Sequence, residues 1–187
     1  MRSQLAIIAG AALALAACGG PMTTITYVDN ETRYDPGTIG WAAQDGELNT
    51  VVRGNPFPAS VEAETIAAGL RLPGWFPSAR LTTRPADRRR AEHRLVLVFN
   101  PVRDPLGGAA ACGDVAGVAL APPGPTMRVQ LAFCSGAKVD AEAILAAPTG
   151  RDPADPGFAG ALNGALAVML PPRNRSHGDG GPPFRKR

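Results

Sequence analysis

The pattern of apolar residues predicts an α+β fold: an antiparallel sheet of four or five strands with two or three helices packed on one face. Three observations carry this. Arg94–Phe99 is a continuous apolar run after its first residue, as in a central strand. Met127–Phe133 alternates, with apolar residues at odd positions and Arg128 and Gln130 directed outward. Phe158, Ala161, Leu162, Ala165, Leu166 and Met169 recur at the spacing of one helix face.

Taken in order, Thr24–Val28 has the β-branched alternation of a short strand, and Asp35-Pro36-Gly37 reads as a turn. Leu48–Arg53 is a second strand, stopped by Gly54-Asn55-Pro56. A helix follows, with Ser60 as N-cap, Glu62 and Glu64 near its positive end, and Val61, Ile66, Ala67 and Leu70 on one face. Gly69 and Pro73 end it, and Trp75-Phe76 sits in a proline-bounded loop. The strand at 94–99 ends in Asn100-Pro101. Strands at 115–121 and 127–134, joined across Pro122-Pro123-Gly124-Pro125, complete a meander with it. The Ala-rich stretch Val139–Ala147 reads as a helix, and a last helix starts near Asp155-Pro156 and stops at Pro171-Pro172. One domain over residues 25–170 is therefore expected, with a disordered basic tail over 171–187.

The first residues have another purpose. Arg2 is the only charge before Asp29, and Leu5–Ala17 is an unbroken stretch of thirteen apolar residues and glycine. This is the pattern of a secretory signal peptide over residues 1–17. As a helix the stretch reaches about 20 Å, short of the roughly 30 Å hydrocarbon core. Its end, Leu15-Ala16-Ala17-Cys18, resembles the lipobox of bacterial lipoproteins. That resemblance implies cleavage before Cys18, a diacylglycerol on its sulfur, and acylation of the new amine. Residues 18–24 then form a lipidated N-terminus and linker. With Gly19 rather than Asp after the cysteine, the resemblance implies the periplasmic face of the outer membrane.

Of 187 residues, 19 are Lys or Arg and 16 Asp or Glu. The tail from Pro171 carries a net +4, while residues 18–170 carry a net −2. Basicity is thus a property of the tail and gives no argument for a nucleic-acid partner. Besides Cys18 there are two cysteines, Cys112 and Cys134. In an oxidising compartment an even pair reads first as a disulfide, with free thiols or cysteine chemistry as alternatives. There is no C-x-x-C, no histidine at ligand spacing, and no expectation of a metal or cofactor.

No motif for catalysis stands out: no G-x-S-x-G, no S-x-x-K, no phosphate loop. His177 falls in the tail, and His93 reads as an exposed residue in a charge-dense run. Asp152–Gly157 reads as a turn with a helix N-cap rather than a calcium loop. The arginines at 80, 84, 88, 89, 90 and 94 could meet anionic groups of lipid or peptidoglycan. Asn55 and Asn100, each closing a strand, could form a groove with Trp75 and Phe76 if those strands are parallel neighbours. The expectation is a lipid-anchored envelope protein, a non-catalytic binding or assembly module with envelope proteins or peptidoglycan as partners. One alternative is a small cell-wall hydrolase with a carboxylate pair among Asp87, Glu92, Asp104 and Asp114. Another is a structural tether binding peptidoglycan through the arginines.

Overall fold

The computed structural model describes residues 22–30, 33–103, 106, 109–150 and 152–174. Cys18, Asp104, His177 and the tail from residue 175 lie outside them. The elements are strand β1 (Thr24–Asp29), helix α1 (Pro36–Ala42), strand β2 (Glu47–Arg53), helix α2 (Ala63–Ala68), strands β3 (Arg80–Thr82), β4 (His93–Phe99), β5 (Thr126–Ser135) and β6 (Lys138–Pro148), and helix α3 (Pro156–Met169). The strands form one sheet in the order β1-β6-β5-β4-β2-β3. The α+β class is as expected, but the sheet is mixed and six-stranded. β1–β6, β6–β5 and β5–β4 are antiparallel, whereas β2 pairs parallel with both β3 and β4. Residues 54–92 make the parallel pairs possible, because a crossover needs a dozen or more residues and this stretch holds α2.

Two segments differ from the sequence reading for identifiable reasons. Val139–Ala147 is strand, not helix. Gly136, at φ 62°, opens a two-residue hairpin turn that lays β6 along the whole of β5. Ala141, Ala143, Leu145 and Ala147 then alternate into the core. Burial between two strands overrides the helix preference of alanine. The stretch 115–121 is not a strand either. Asp114 caps a single 3-10 turn, Val115–Gly117, by accepting from the Gly117 N–H at 3.1 Å. Only Leu120 makes a bridge, to Pro101. The meander is therefore β4-β5-β6.

Helix α1, which the turn reading missed, starts at Asp35-Pro36-Gly37 with the chemistry that starts α3 at Asp155-Pro156-Gly157. In both, the aspartate accepts from the glycine N–H and proline occupies the first turn. Helix α2 begins later than expected, with Glu62 rather than Ser60 at the N-cap position and no side-chain cap bond.

Each face of the sheet buries its own cluster. Leu95, Leu97 and Phe99 of β4, with Val129, Leu131 and Phe133 of β5, face all three helices. Val96, Val98 and Ala132 face the opposite way, under Ala111, Val115 and Val118. Burial on both sides is why β4 reads as an unbroken apolar run. Cys112 and Cys134 are fully buried in this second cluster and joined by a disulfide, with Cα atoms 5.6 Å apart. At the chain's other end, the Tyr34 hydroxyl donates to the Pro171 carbonyl and Asn174 donates to the Tyr34 carbonyl at 2.7 Å, so residues 171–174 are held against the body.

Candidate functional site

The polar side chains that converge lie where β2, β3 and β4 begin. Gly46, at φ 79°, turns the chain out of α1 and sets Asp45 beside the start of β2. Arg90 reaches back to pair with Asp45 and lies over the Trp41 ring, 4.8 Å from its centroid. Trp41 is about half exposed and meets His93 edge-on at 5.0 Å. Beside them is a cleft of about 300 Å³ lined by Asp45, Glu47, Asn49, Asp87 and Arg90.

The acids of this cleft are ion-paired or hydrogen-bonded. Glu47 accepts from Arg80 at 2.7 Å and from the Ala86 N–H at 2.8 Å, and these bonds hold its carboxyl below the usual range. Asp87 accepts from the Arg89 N–H at 2.8 Å. Behind them, burial works against ionisation of Glu64. The Thr83 N–H, the Thr82 and Thr83 hydroxyls and Arg80 outweigh it, so its carboxyl also lies below the usual range. A general acid needs the opposite shift, so Glu47 and Glu64 are held as carboxylates.

Ser135, His93 and Asp140 come together, but not as a nucleophilic triad. Ser135 has one hydroxyl proton and donates it to Asp140, which can only accept. Its oxygen therefore accepts from His93 Nδ1, 3.0 Å away. A nucleophile would need its proton directed at the histidine. The His93–Ser135 contact ties the β5–β6 hairpin to the start of β4, and Arg33, ahead of α1, lies 3.6 Å from Asp140. His93 is mostly buried, its side chain 17% exposed, which corrects the exposed reading.

The six arginines of 80–94 are largely engaged within the chain. Arg80 pairs with Glu47 and Glu64, Arg84 with Glu62, Arg89 with Asp87, and Arg90 with Asp45. Arg94 bonds the carbonyls of Cys112 and Glu92, and Arg88 is exposed. Of the expected carboxylate pair, Asp87 lines the cleft, Glu92 lies 3.6 Å from His93 Nε2, and Asp114 caps its turn. Each is engaged by a different partner.

The groove expected from Asn55, Trp75, Phe76 and Asn100 is brought together only in half. β2 and β4 are parallel neighbours, so Asn55 and Asn100 do lie at one end of the sheet. Their amides are used locally: Asn55 bonds Val61 O at 2.6 Å and Phe57 N at 2.9 Å, and Asn100 accepts from Arg128 N at 2.9 Å. Trp75 donates to Leu170 O, at the C-terminal end of α3, and Phe76 is buried in the core. The other end of α3, where Phe158 packs on Phe57 and Phe99, is about 20 Å away.

Glu142 escaped the sequence reading because its segment was taken for a helix. It is 8% exposed on the disulfide face, accepts from Gln130 at 2.8 Å and bonds Tyr27. Burial pushes its carboxyl above the ordinary value of 4.5, Asp29 adds to this, and the two hydrogen bonds work against it. A carboxyl raised in the folded state favours folding below its unfolded value, and that contribution is lost as pH rises through the folded one. Glu142→Gln keeps the hydrogen-bonding shape and is expected to raise stability at pH 7 by on the order of 1 kcal/mol. The gain shrinks toward pH 4; urea midpoints at both pH values measure it, and no gain at pH 7 rules it out.

Among the described residues, no group of three or more His, Cys, Asp or Glu could hold a metal ion. Asp152 and Asp155 instead accept from the Ala154 and Gly157 N–H groups, each at 2.8 Å. The chain matches no protein-family model, no curated protein and no solved structure.

Proposed function

We propose that this chain is a lipid-anchored protein of the cell envelope, held through Cys18 on the periplasmic face of the outer membrane. Its folded part serves there as a non-catalytic binding or assembly module. The observation that carries the reading is the single positive charge, thirteen-residue apolar stretch and Leu15-Ala16-Ala17-Cys18 in register. The buried Cys112–Cys134 disulfide supports it, since such bonds persist in oxidising compartments. No helix among the described residues is long and apolar enough to cross a membrane. Attachment in this reading rests on acyl chains, of which two or more hold firmly where one is marginal. The cleft beside Trp41 and Arg90, with its charged and amide groups, is the binding surface best equipped for a polar partner.

Cells fed radiolabelled palmitate are expected to label the wild-type protein and not Cys18→Ala. The variant should also leave the membrane fraction or accumulate with its leader uncut. Equal labelling and equal membrane retention of the two would remove the reading.

A further inference from the structure

The two edges of the sheet differ in kind. At the β3 edge, Arg80 and the following loop are dense in charge. The β1 edge carries far less: Met22–Val28 and Pro156–Pro172, which supply most of β1 and α3, contain no charged residue, and the charge of β1 is the exposed Asp29 at its far end. A helix on the surface of a soluble protein normally turns charged residues outward, and one apolar all round is normally covered. Yet Val168 is 49% exposed and Met22 83%. Between β1 and α3 runs a shallow groove of about 480 Å³ lined by Thr23, Ile25, Gly160, Gly164 and Val168. Asn30 closes its far end by donating to the Val168 and Met169 carbonyls, both at 3.1 Å.

We infer that this β1/α3 edge lies against the bilayer, as a second, non-covalent membrane contact beside the lipid. The inference rests on the anchor proposed above. Four residues separate Cys18 from Thr23, so the start of the groove lies within about 18 Å of the acylated cysteine. Every anchored copy therefore holds this edge beside a lipid surface at high effective concentration. A second copy would have to diffuse to it. The Met22–Val28 part of this edge can settle into the interfacial region without desolvating a charge, while Asp29 at its far end stays in water. The arginine-rich edge, five strand spacings or about 24 Å across the sheet, stays in water.

The test uses the full acylated chain reconstituted in vesicles of phosphatidylethanolamine and phosphatidylglycerol. A fluorescent label is placed on Val168→Cys, or on Arg88→Cys at the opposite edge. Gly164→Cys serves as a second reporter, because a side chain there meets nothing within 4 Å. Lipids brominated on their chains are expected to quench the labels at 164 and 168 at least threefold more than the label at 88, with aqueous iodide showing the reverse order. Equal quenching at both edges, with the protein still vesicle-bound, overturns the inference and leaves the anchor standing. Failure to bind vesicles overturns both. Shielding of 168 from iodide without lipid quenching, together with a doubled mass in detergent, would assign the edge to a second copy instead.

Discussion

Removing the Cys112–Cys134 bond is expected to cost about 3 kcal/mol, lowering the thermal midpoint by roughly 10 °C. The bond spans 22 residues and closes the one layer of the protein built without a helix longer than a turn. Ala111, Cys112, Val115 and Val118 cover Val96, Val98 and Ala132, yet among the described residues this layer joins a neighbour by strand pairing only at the Pro101–Leu120 bridge. Arg94 adds a bond to the Cys112 carbonyl. Without the covalent link the segment is expected to detach while the helix-covered face keeps its packing. Urea titration of Cys112→Ala/Cys134→Ala should show the lower midpoint, and hydrogen exchange should show the loss of protection concentrated in residues 109–118. An unchanged midpoint would mean that apolar packing alone holds the layer.

Gly54→Ala should destabilise by a similar amount, about 3 kcal/mol, through a different mechanism. Gly54 ends β2 at φ 74°, where an alanine is already strained. Its added Cβ would also stand 2.5 Å from the Phe99 carbonyl oxygen and 2.9 Å from Leu120 Cδ1. The oxygen belongs to the backbone of the parallel neighbour β4, so relief requires the strand ends to separate. Gly46→Ala and Gly136→Ala provide the comparison. Both have positive φ but nothing within 4 Å of the new atom, so each should cost only about 1 kcal/mol. If all three variants melt together, the close approach of β2 to β4 carries no energy.

The helix α3 and the strands β4 and β5 were legible because each has one environment repeated along its length. Phe158 to Met169 keep one helix face apolar, Leu95–Phe99 are buried on both sides, and Met127–Phe133 alternate. β6 was not legible, because Ala141, Ala143 and Ala147 fit a helix as well as a strand until a neighbour is present. The one local signal was Gly136 immediately after β5, a residue suited to a hairpin turn. Val115–Ala121 erred in the other direction: its valines are apolar because they cover the sheet, not because they pair in it. The same limit governs the candidate site. Nothing in the order of residues places Trp41 under Arg90, or Ser135 between His93 and Asp140, since each set joins segments more than forty residues apart.

The chain alone carried the expectation of a leader ending at Cys18, the pairing expected of the other two cysteines, and the α+β class. Those depend on local composition, on periodicity, or on there being only one partner to choose. Tertiary structure decided which strands run parallel, that five of six arginines in 80–94 are spent on partners within the protein, and that the uncharged stretches Met22–Val28 and Pro156–Pro172 lie together along one edge of the sheet. These are properties of distance between remote segments. Whether a guanidinium meets a carboxylate or solvent is set by how strands cross, and only packing fixes that.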